Sequence, residues 1–538
     1  MNGRGRRWAL VSLATAQFLM VLDQSVMNVS ISQLVKDFDT TVTVIQAVIT
    51  LYCLVMAMFM LTGGKIGDII GRRRAFVVGL VIYGCGSAMT AVAPSVGILA
   101  LGWSFLEGIG AALVLPAMAA LIAGNFEGAA RKAAYAVIGG VAGAGIAIGP
   151  IIGGWATTEL SWRIVFAGEV VLVAFILATT RFIGDAPRSG AKPRLDGVGT
   201  ALSASGLGLV VSGVLQSSTW GWVKPKDSPV ELFGLSLTLF VIALGGALLW
   251  AFVRWEQHRE ATGTDPLVHL DLTKIRSLRA GLYGLFSQNL ILMGVFFVIP
   301  LYLQLVLGLN ALETGIKMLP VSITMFTSSA LGSRLSARFS IRSIVRAGLW
   351  TIFGAALVLI ATIDPQLKET GFAVAMGLLG VGMGLMASQL GNVVQSSVDA
   401  SGRGEAGGLQ YTGQQLGSSL GVALIGAMVL TGLTGAFVAN IQADQRINDN
   451  VKTQVSTAAG TGINFVASTE IQKAAHNARL SNSETTAVVD NYEKAQLVAL
   501  KAGLLAAALL ALGSLAFTSD LPHEIPTPEE GETEPAKA

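Results

Sequence analysis

Two carboxylates stand deep inside apolar runs. Asp23 lies in Leu22-Asp-Gln-Ser-Val-Met-Asn28 and Glu107 in Ser104-Phe-Leu-Glu-Gly-Ile-Gly110. A charged side chain at the centre of a membrane helix costs about 2.5–3.5 kcal/mol, so each should face protein or a wet cavity. A carboxyl so placed suits the binding and release of protons. If the two share a cavity, like-charge repulsion makes them titrate together, and their anionic form would attract a cationic substrate. The blander readings are an Asp23 that hydrogen-bonds a neighbouring helix and a Glu107 that caps a polar helix contact. A third acid, Glu169, follows Trp162-Arg163 and either lines an outer vestibule or pairs with Arg163. Further polar or aromatic candidates for a substrate cavity are Asn28, Ser104, Gln288, Asn289, Phe296, Gln410 and Gln414.

Two glycine-bearing stretches invite a mechanical reading. In Gly145-Ile-Ala-Ile-Gly149-Pro150-Ile-Ile-Gly153-Gly154 the glycines bare helix faces for close approach, while Pro150 removes a backbone donor and invites a bend. In Gly64-Lys-Ile-Gly-Asp68-Ile-Ile-Gly71-Arg72-Arg73-Arg74 glycines permit a tight turn, and a carboxylate sits beside several cations. A basic loop at a membrane face explains the arginines but not an Asp held between two glycines.

The elements that must position these residues are membrane helices. The chain has 538 residues, 52% hydrophobic and 13% charged, with mean hydropathy +0.64. Soluble domains carry about 25% charged residues. Apolar segments fall near 8–34, 43–66, 74–93, 97–123, 133–157, 162–182, 196–220, 230–254, 279–306, 313–333, 344–363, 371–395, 405–434 and 496–517. Each has roughly the length that spans a bilayer. Arg4, Arg6 and Arg7 precede the first run as in a secretory signal, but no small-residue cleavage site follows, so the run reads as an uncleaved span. Lys65, Arg72–Arg74, Arg131, Lys132 and the basic stretches 181–194, 254–279 and 334–346 then fall on one side. That bias places both termini in the cytoplasm.

The order reads as an all-α integral membrane protein of fourteen spans, two six-helix bundles with two extra helices between. Its parts are 1–182, a linker region 183–277 with the extra helices, 278–517 with an outer loop at 436–494, and an acidic tail 518–538. Gly63–Arg73 and Gly332–Arg342 match at Gly63/Gly332, Ile66/Leu335 and Arg73/Arg342, a faint sign of parallel repeats. The outer loop carries partial helical periodicity at 451–459 and 470–480, as for a small cap.

The Gly145–Gly154 stretch resembles the fifth-span antiporter motif of exporters of the major facilitator superfamily. The loop at Gly64–Arg74 is similar to that superfamily's signature loop, and Leu22–Ser30 resembles the first-span motif of its drug–proton antiporters. The resemblance implies the major facilitator fold, alternating access, proton coupling at Asp23 and a gate latch between Asp68 and Arg72. The fourth span departs from the family pattern R-x-x-Q-G-x-G-A-A: Ser104 stands for the Arg and Glu107 for the Gln. Gln414 likewise replaces an Arg in a segment, 404–417, that resembles fourteen-span multidrug exporters.

The reading that follows is a proton-driven antiporter in a prokaryotic cytoplasmic membrane, multi-pass and monomeric, exporting lipophilic and cationic drugs. Its partners are the small substrate, protons and the lipid bilayer, with no nucleic acid. No cofactor is expected: there is no Walker A sequence, and the four His and two Cys form no metal-ligand pattern. No Ser/His/Asp or Cys/His set argues for an enzyme. The rivals are export of an endogenous lipid, siderophore or secondary metabolite, uptake by symport, and a non-transporting receptor or scaffold on a transporter fold.

Overall fold

The computed structural model describes residues 3–126, 128–185, 194–399, 402–460 and 463–523. Among them the long helices are α1 (Gly3–Val29), α2 (Val42–Ile70), α3 (Arg72–Ala91), α4 (Val96–Ile122), α5 (Gly128–Trp155), α6 (Trp162–Thr179), α7 (Gly197–Trp220) and α8 (Leu237–Ala261). Then come α9 (Arg276–Leu301), α10 (Ala311–Leu335), α11 (Ile341–Thr362), α12 (Glu369–Ser396), α13 (Arg403–Ala443) and α14 (Asn482–Ser514). Twelve of these are long and apolar enough to cross a membrane, or thirteen if bent α5 counts as one span. The expected count of fourteen is not reached, because Glu313, Lys317 and several Ser and Thr dilute α10.

Side chains cap the helices where the chain turns. Thr41 accepts from Val44 N–H at the start of α2, and Asn310 with Glu313 forms a capping box on α10. Between α2 and α3 the single residue Gly71 takes φ 105°, a conformation that favours glycine.

The two sets of six helices repeat one packing scheme. In the first, α1 packs on α5 and α6, α2 on α4, and α3 on α4 and α6. In the second, α9 packs on α13 and α14, α10 on α12, and α11 on α12 and α14. The residues paired in the sequence repeat share this geometry: Gly63 lies against Ala112 of α4, and Gly332 against Ser388 of α12. The halves meet reciprocally, α2 on α13 and α5 on α10. α7 covers the α2/α13 seam, and α8 packs on α7 with only 11% of its apolar window buried.

α5 bends by 44° between Val137–Ile146 and Ile148–Leu160. Pro150 has no N–H to give to the carbonyl of Ile146, and Ser322 Oγ of α10 donates to that oxygen instead at 3.1 Å. One face of α5 seats on α1, where Gly145, Gly149 and Gly153 meet Val21, Ser25 and Val26. The other seats on α10, where Gly154 meets Ala311 and Leu312, and Gly315 of α10 in turn meets Pro150. Gln304 Nε2 donates to Val29 O (2.8 Å) and Leu312 N to Thr158 Oγ1 (3.1 Å) at this same end. Beyond Gly143, packed on Phe326, the helices part: among the described residues nothing lies within 4 Å of a Cβ built at Gly139 or Gly140.

Residues 449–460 and 468–477 form two short helices on the ends of α13 and α14. Tyr492 of α14 donates to Asn464 O (2.9 Å) and accepts from Val466 N (2.8 Å), while Arg446 bridges Asp444 and Asp490, each at 2.8 Å. α14 therefore begins at Asn482, ahead of the apolar run expected at 496, since its first turns bury Thr485, Val488 and Tyr492 under this cap.

Candidate functional site

Asp23, Glu107 and Glu169 come together from α1, α4 and α6. One carboxylate oxygen from each lies within 4.8 Å of the others, and all three side chains are at most 1% exposed. Asp23 and Glu107 thus stand together, and a third acid joins them. Glu169 neither lines a vestibule nor pairs with Arg163. That Arg reaches Asp37 (3.3 Å) and the carbonyl of Ala93 (2.9 Å), with its guanidinium over Trp162 (4.3 Å).

Local structure explains the convergence. α4 carries a π-helical stretch, Ala100–Glu107, that contains both Trp103 and Glu107, and such widened turns recur at functional sites. Gly86 of α3 gives Glu107 its room, for a Cβ there would stand 2.6 Å from Glu107 Cγ. Trp103 Nε1 donates to Asp23 Oδ1 at 2.7 Å, and its ring stacks on Tyr52 of α2 at 4.6 Å. Ser87 Oγ and Tyr83 Oη of α3 donate to Glu169 Oε2 at 3.1 and 3.4 Å. Among the described residues no Lys or Arg pairs with any of the three acids. Three buried like charges with no counter-ion would be very costly, so the group suits the uptake and release of protons.

The cluster is sealed inside the first six-helix bundle. Asp23 turns into it, while its neighbour Gln24 turns to the other half and donates to Gln415 Oε1 at 3.4 Å. All three acids are closed off within that bundle in this conformation. Gln46 Nε2 to Val422 O (2.8 Å) and Ser419 Oγ to Thr50 O (3.0 Å) also tie the halves.

The remaining candidates divide. Ser104 is buried and donates to Val48 O (2.8 Å), Gln288 is buried and donates to Met383 O (2.8 Å), and Phe296 lies in the core, so these three hold helices together. Asn289 (bonded to Leu285 O), Gln410 (bonded to Gln395) and Gln414 are half-buried, and Asn28 donates to Gln24 O with its own Oδ1 unpartnered. Asp68 and Arg72 form an ion pair, and Arg72 Nη1 also reaches the carbonyl of Gly64 (3.1 Å). Two contacts near this pair were not legible in advance. Lys65 Nζ donates to Pro266 O (3.0 Å), and Glu405 accepts from the backbone N–H and ring of His269.

The model of the Major Facilitator Superfamily matches residues 13–422. The puromycin resistance protein pur8 of Streptomyces alboniger is 32% identical over 81% of this chain and 84% of its own length. A probable actinorhodin transporter of Streptomyces coelicolor is 30% identical over 85% and 77%. The multidrug efflux pump LfrA of Mycolicibacterium smegmatis is 27% identical over 79% and 81%. Among solved structures, a bacterial homolog of the human lysosomal transporter Spinster, inward-facing and unoccupied, superposes with TM-score 0.62. It covers 97% of this chain and 98% of its own at 14% identity, a likeness of fold alone.

Proposed function

The chain belongs to the major facilitator superfamily, a multi-pass protein of the cell membrane that transports rather than catalyses, and we propose that it exports lipophilic, cationic drugs or toxic compounds in exchange for protons. The observation that carries this reading is the sealed cluster of Asp23, Glu107 and Glu169 with no cation paired to it. Export is supported by the relatives, whose names speak of drug and antibiotic resistance and efflux.

In this reading α10 is the fourteenth span, both termini are cytoplasmic, and the protein works as a monomer without cofactor. Residues 1–182 and 278–517 rock about the substrate, with α7 and α8 as an added wall. The Gly154 end of α5 and α10 is the outer gate, so the parting of α5 from α10 beyond Gly143 faces the cytoplasm. Asp68, Arg72, Gly64 and Gly71 form the inner gate, and Gly145, Gly149, Pro150, Gly153 and Gly154 are the surfaces that close the outer one. Gln414, Gln410, Asn289 and Asn28 line the substrate path. Protonation of the acids inside one bundle changes how α1 packs, and Gln24, one residue from Asp23, carries the change to the other half. Exchange of one proton for one monovalent cation moves no net charge and is driven by the pH difference alone, about 1.4 kcal/mol per unit, whereas each further proton adds about 2.3 kcal/mol per 100 mV.

The test is uptake of ethidium into proteoliposomes under an imposed pH gradient. Wild type should accumulate the dye in proportion to the gradient, and Asp23→Asn should not. A folded wild type that moves no lipophilic cation at all would transfer the reading to an endogenous lipid or secondary metabolite.

A further inference from the structure

The three acids do not have the same partners. Trp103 donates to Asp23, and Ser87 and Tyr83 both donate to Glu169. Each hydroxyl has one proton to give, so although both lie near Glu107 they cannot serve it while they serve Glu169. Among the described residues neither oxygen of Glu107 has a hydrogen-bond partner; Asp23 Oδ2 and Glu169 Oε1 also lack one, but each of those acids keeps a donor on its other oxygen. The Tyr52 hydroxyl is also without a partner; its residue is 1% exposed, lies beside Asp23 and Glu107, and is held by the stack on Trp103. Cys53 of α2 and Tyr83 of α3 are further titratable groups beside Asp23.

A buried carboxylate needs donors, and a buried carboxylic acid does not need them to the same degree. We infer that Asp23 and Glu169 are the two carboxyls that exchange protons, while Glu107 keeps its proton through the cycle. Ser87 and Tyr83 are positioning residues that receive the charge left on Glu169. Tyr52 supplies the second donor to Asp23 once its proton has gone. The O–H bonds of Asp23 and Glu169 break toward water on the inner side and re-form from water on the outer side, moving two protons inward per cycle. The inference rests on the proton-coupled reading above and makes Glu169, which the sequence left between an outer vestibule and a pair with Arg163, part of the coupling.

Infrared difference spectra of the full-length protein in lipid, recorded from about pH 6 upward, above the range near 4 in which exposed carboxyls titrate, test this without a substrate. Wild type should lose the carbonyl band of protonated carboxyls as pH rises, and Asp23→Asn and Glu169→Gln should each remove about half of that change. Glu107→Gln should leave the pH-dependent change whole. Ser87→Ala and Tyr83→Phe retain all three acids, so they answer even if an acid variant fails to fold. They should move the midpoint of the Glu169 band up by roughly one to two pH units, the size of a lost hydrogen bond to a charged group. A change abolished by Glu107→Gln but untouched by Glu169→Gln overturns the inference, as does an unmoved midpoint in both hydroxyl variants. No pH-dependent carboxyl band in wild type would instead sink the proton-coupled reading beneath it.

Discussion

Gly154→Ala is the sharpest mechanical perturbation available. A Cβ at this position would stand 2.8 Å from the carbonyl carbon of Ala311 and 2.8 Å from Leu312 Cα, both backbone atoms of α10. Carbon atoms in contact sit about 3.5–4.0 Å apart, so the helices must separate there by about 1 Å. Overpacking of this kind costs about 1–3 kcal/mol. The alanine also strengthens its own helix by about 0.5–1 kcal/mol, but α5 is helical whichever gate is open, so that gain cancels. The contact cost falls only on the conformation in which this end is closed. The equilibrium should therefore shift toward opening there by about 5- to 150-fold. Spin labels at Glu159→Cys and Lys368→Cys, both exposed at this end, report the shift as a longer distance population in double electron–electron resonance. Gly139→Ala is the matched control, with the same helix gain and nothing within 4 Å of its Cβ. Superimposable distance distributions for the two variants would refute the reasoning.

Three further outcomes follow from single contacts. Arg163→Ala removes the link to Asp37 and the cation over Trp162; because both charged groups are partly exposed, the loss should be about 1–2 kcal/mol, seen as a lower thermal midpoint with transport retained. Asp68→Asn leaves the Arg72 guanidinium without its anion, and transport should slow roughly tenfold, the equivalent of one charge-assisted hydrogen bond, while the unfolding temperature stays near wild type. In the cap, the hydrogen bonds from Arg446 to Asp444 hold that carboxyl well below its ordinary range. A depressed carboxyl contributes its stability above the unfolded value, about 3.9, and loses it as pH falls toward the folded one. Amide protection factors across 446–460 and 463–481, which remove the intrinsic pH dependence of exchange, should thus be flat from pH 8 to about 5 and fall only below about 4, and Asp444→Asn should show the lower protection at every pH above about 4.

Much of this molecule was legible from composition and spacing, because lipid forces a long apolar run to be a helix. The glycines of 145–154 announced close approach, although not that one face would seat on α1 and the other on α10. Asp23 and Glu107 were conspicuous as acids at mid-run depth. Glu169 was equally apolar in its surroundings but could not be placed: its partners Tyr83 and Ser87 lie on another span, and no local spacing encodes which faces of α3 and α6 meet. The same holds for Ser104 and Phe296, whose polarity or aromaticity made them cavity candidates until packing gave them neighbours, whereas Gln288, for which a helix–helix hydrogen bond was the leading reading, makes one to Met383 O. The start of α14 was missed because its first turns are polar and are buried by the cap rather than by lipid. The strap that joins Lys65 to Glu405 through Pro266 and His269 carries no periodicity at all.

Proton movement driven by substrate alone is the most direct test of the central claim. Proteoliposomes holding a pH dye, with no initial pH difference, are given external ethidium in the presence of a permeant counter-ion. Exchange requires the lumen to turn alkaline as the cation enters, with the change lost in Asp23→Asn. Ethidium entry with no pH change, or with acidification, would contradict proton antiport.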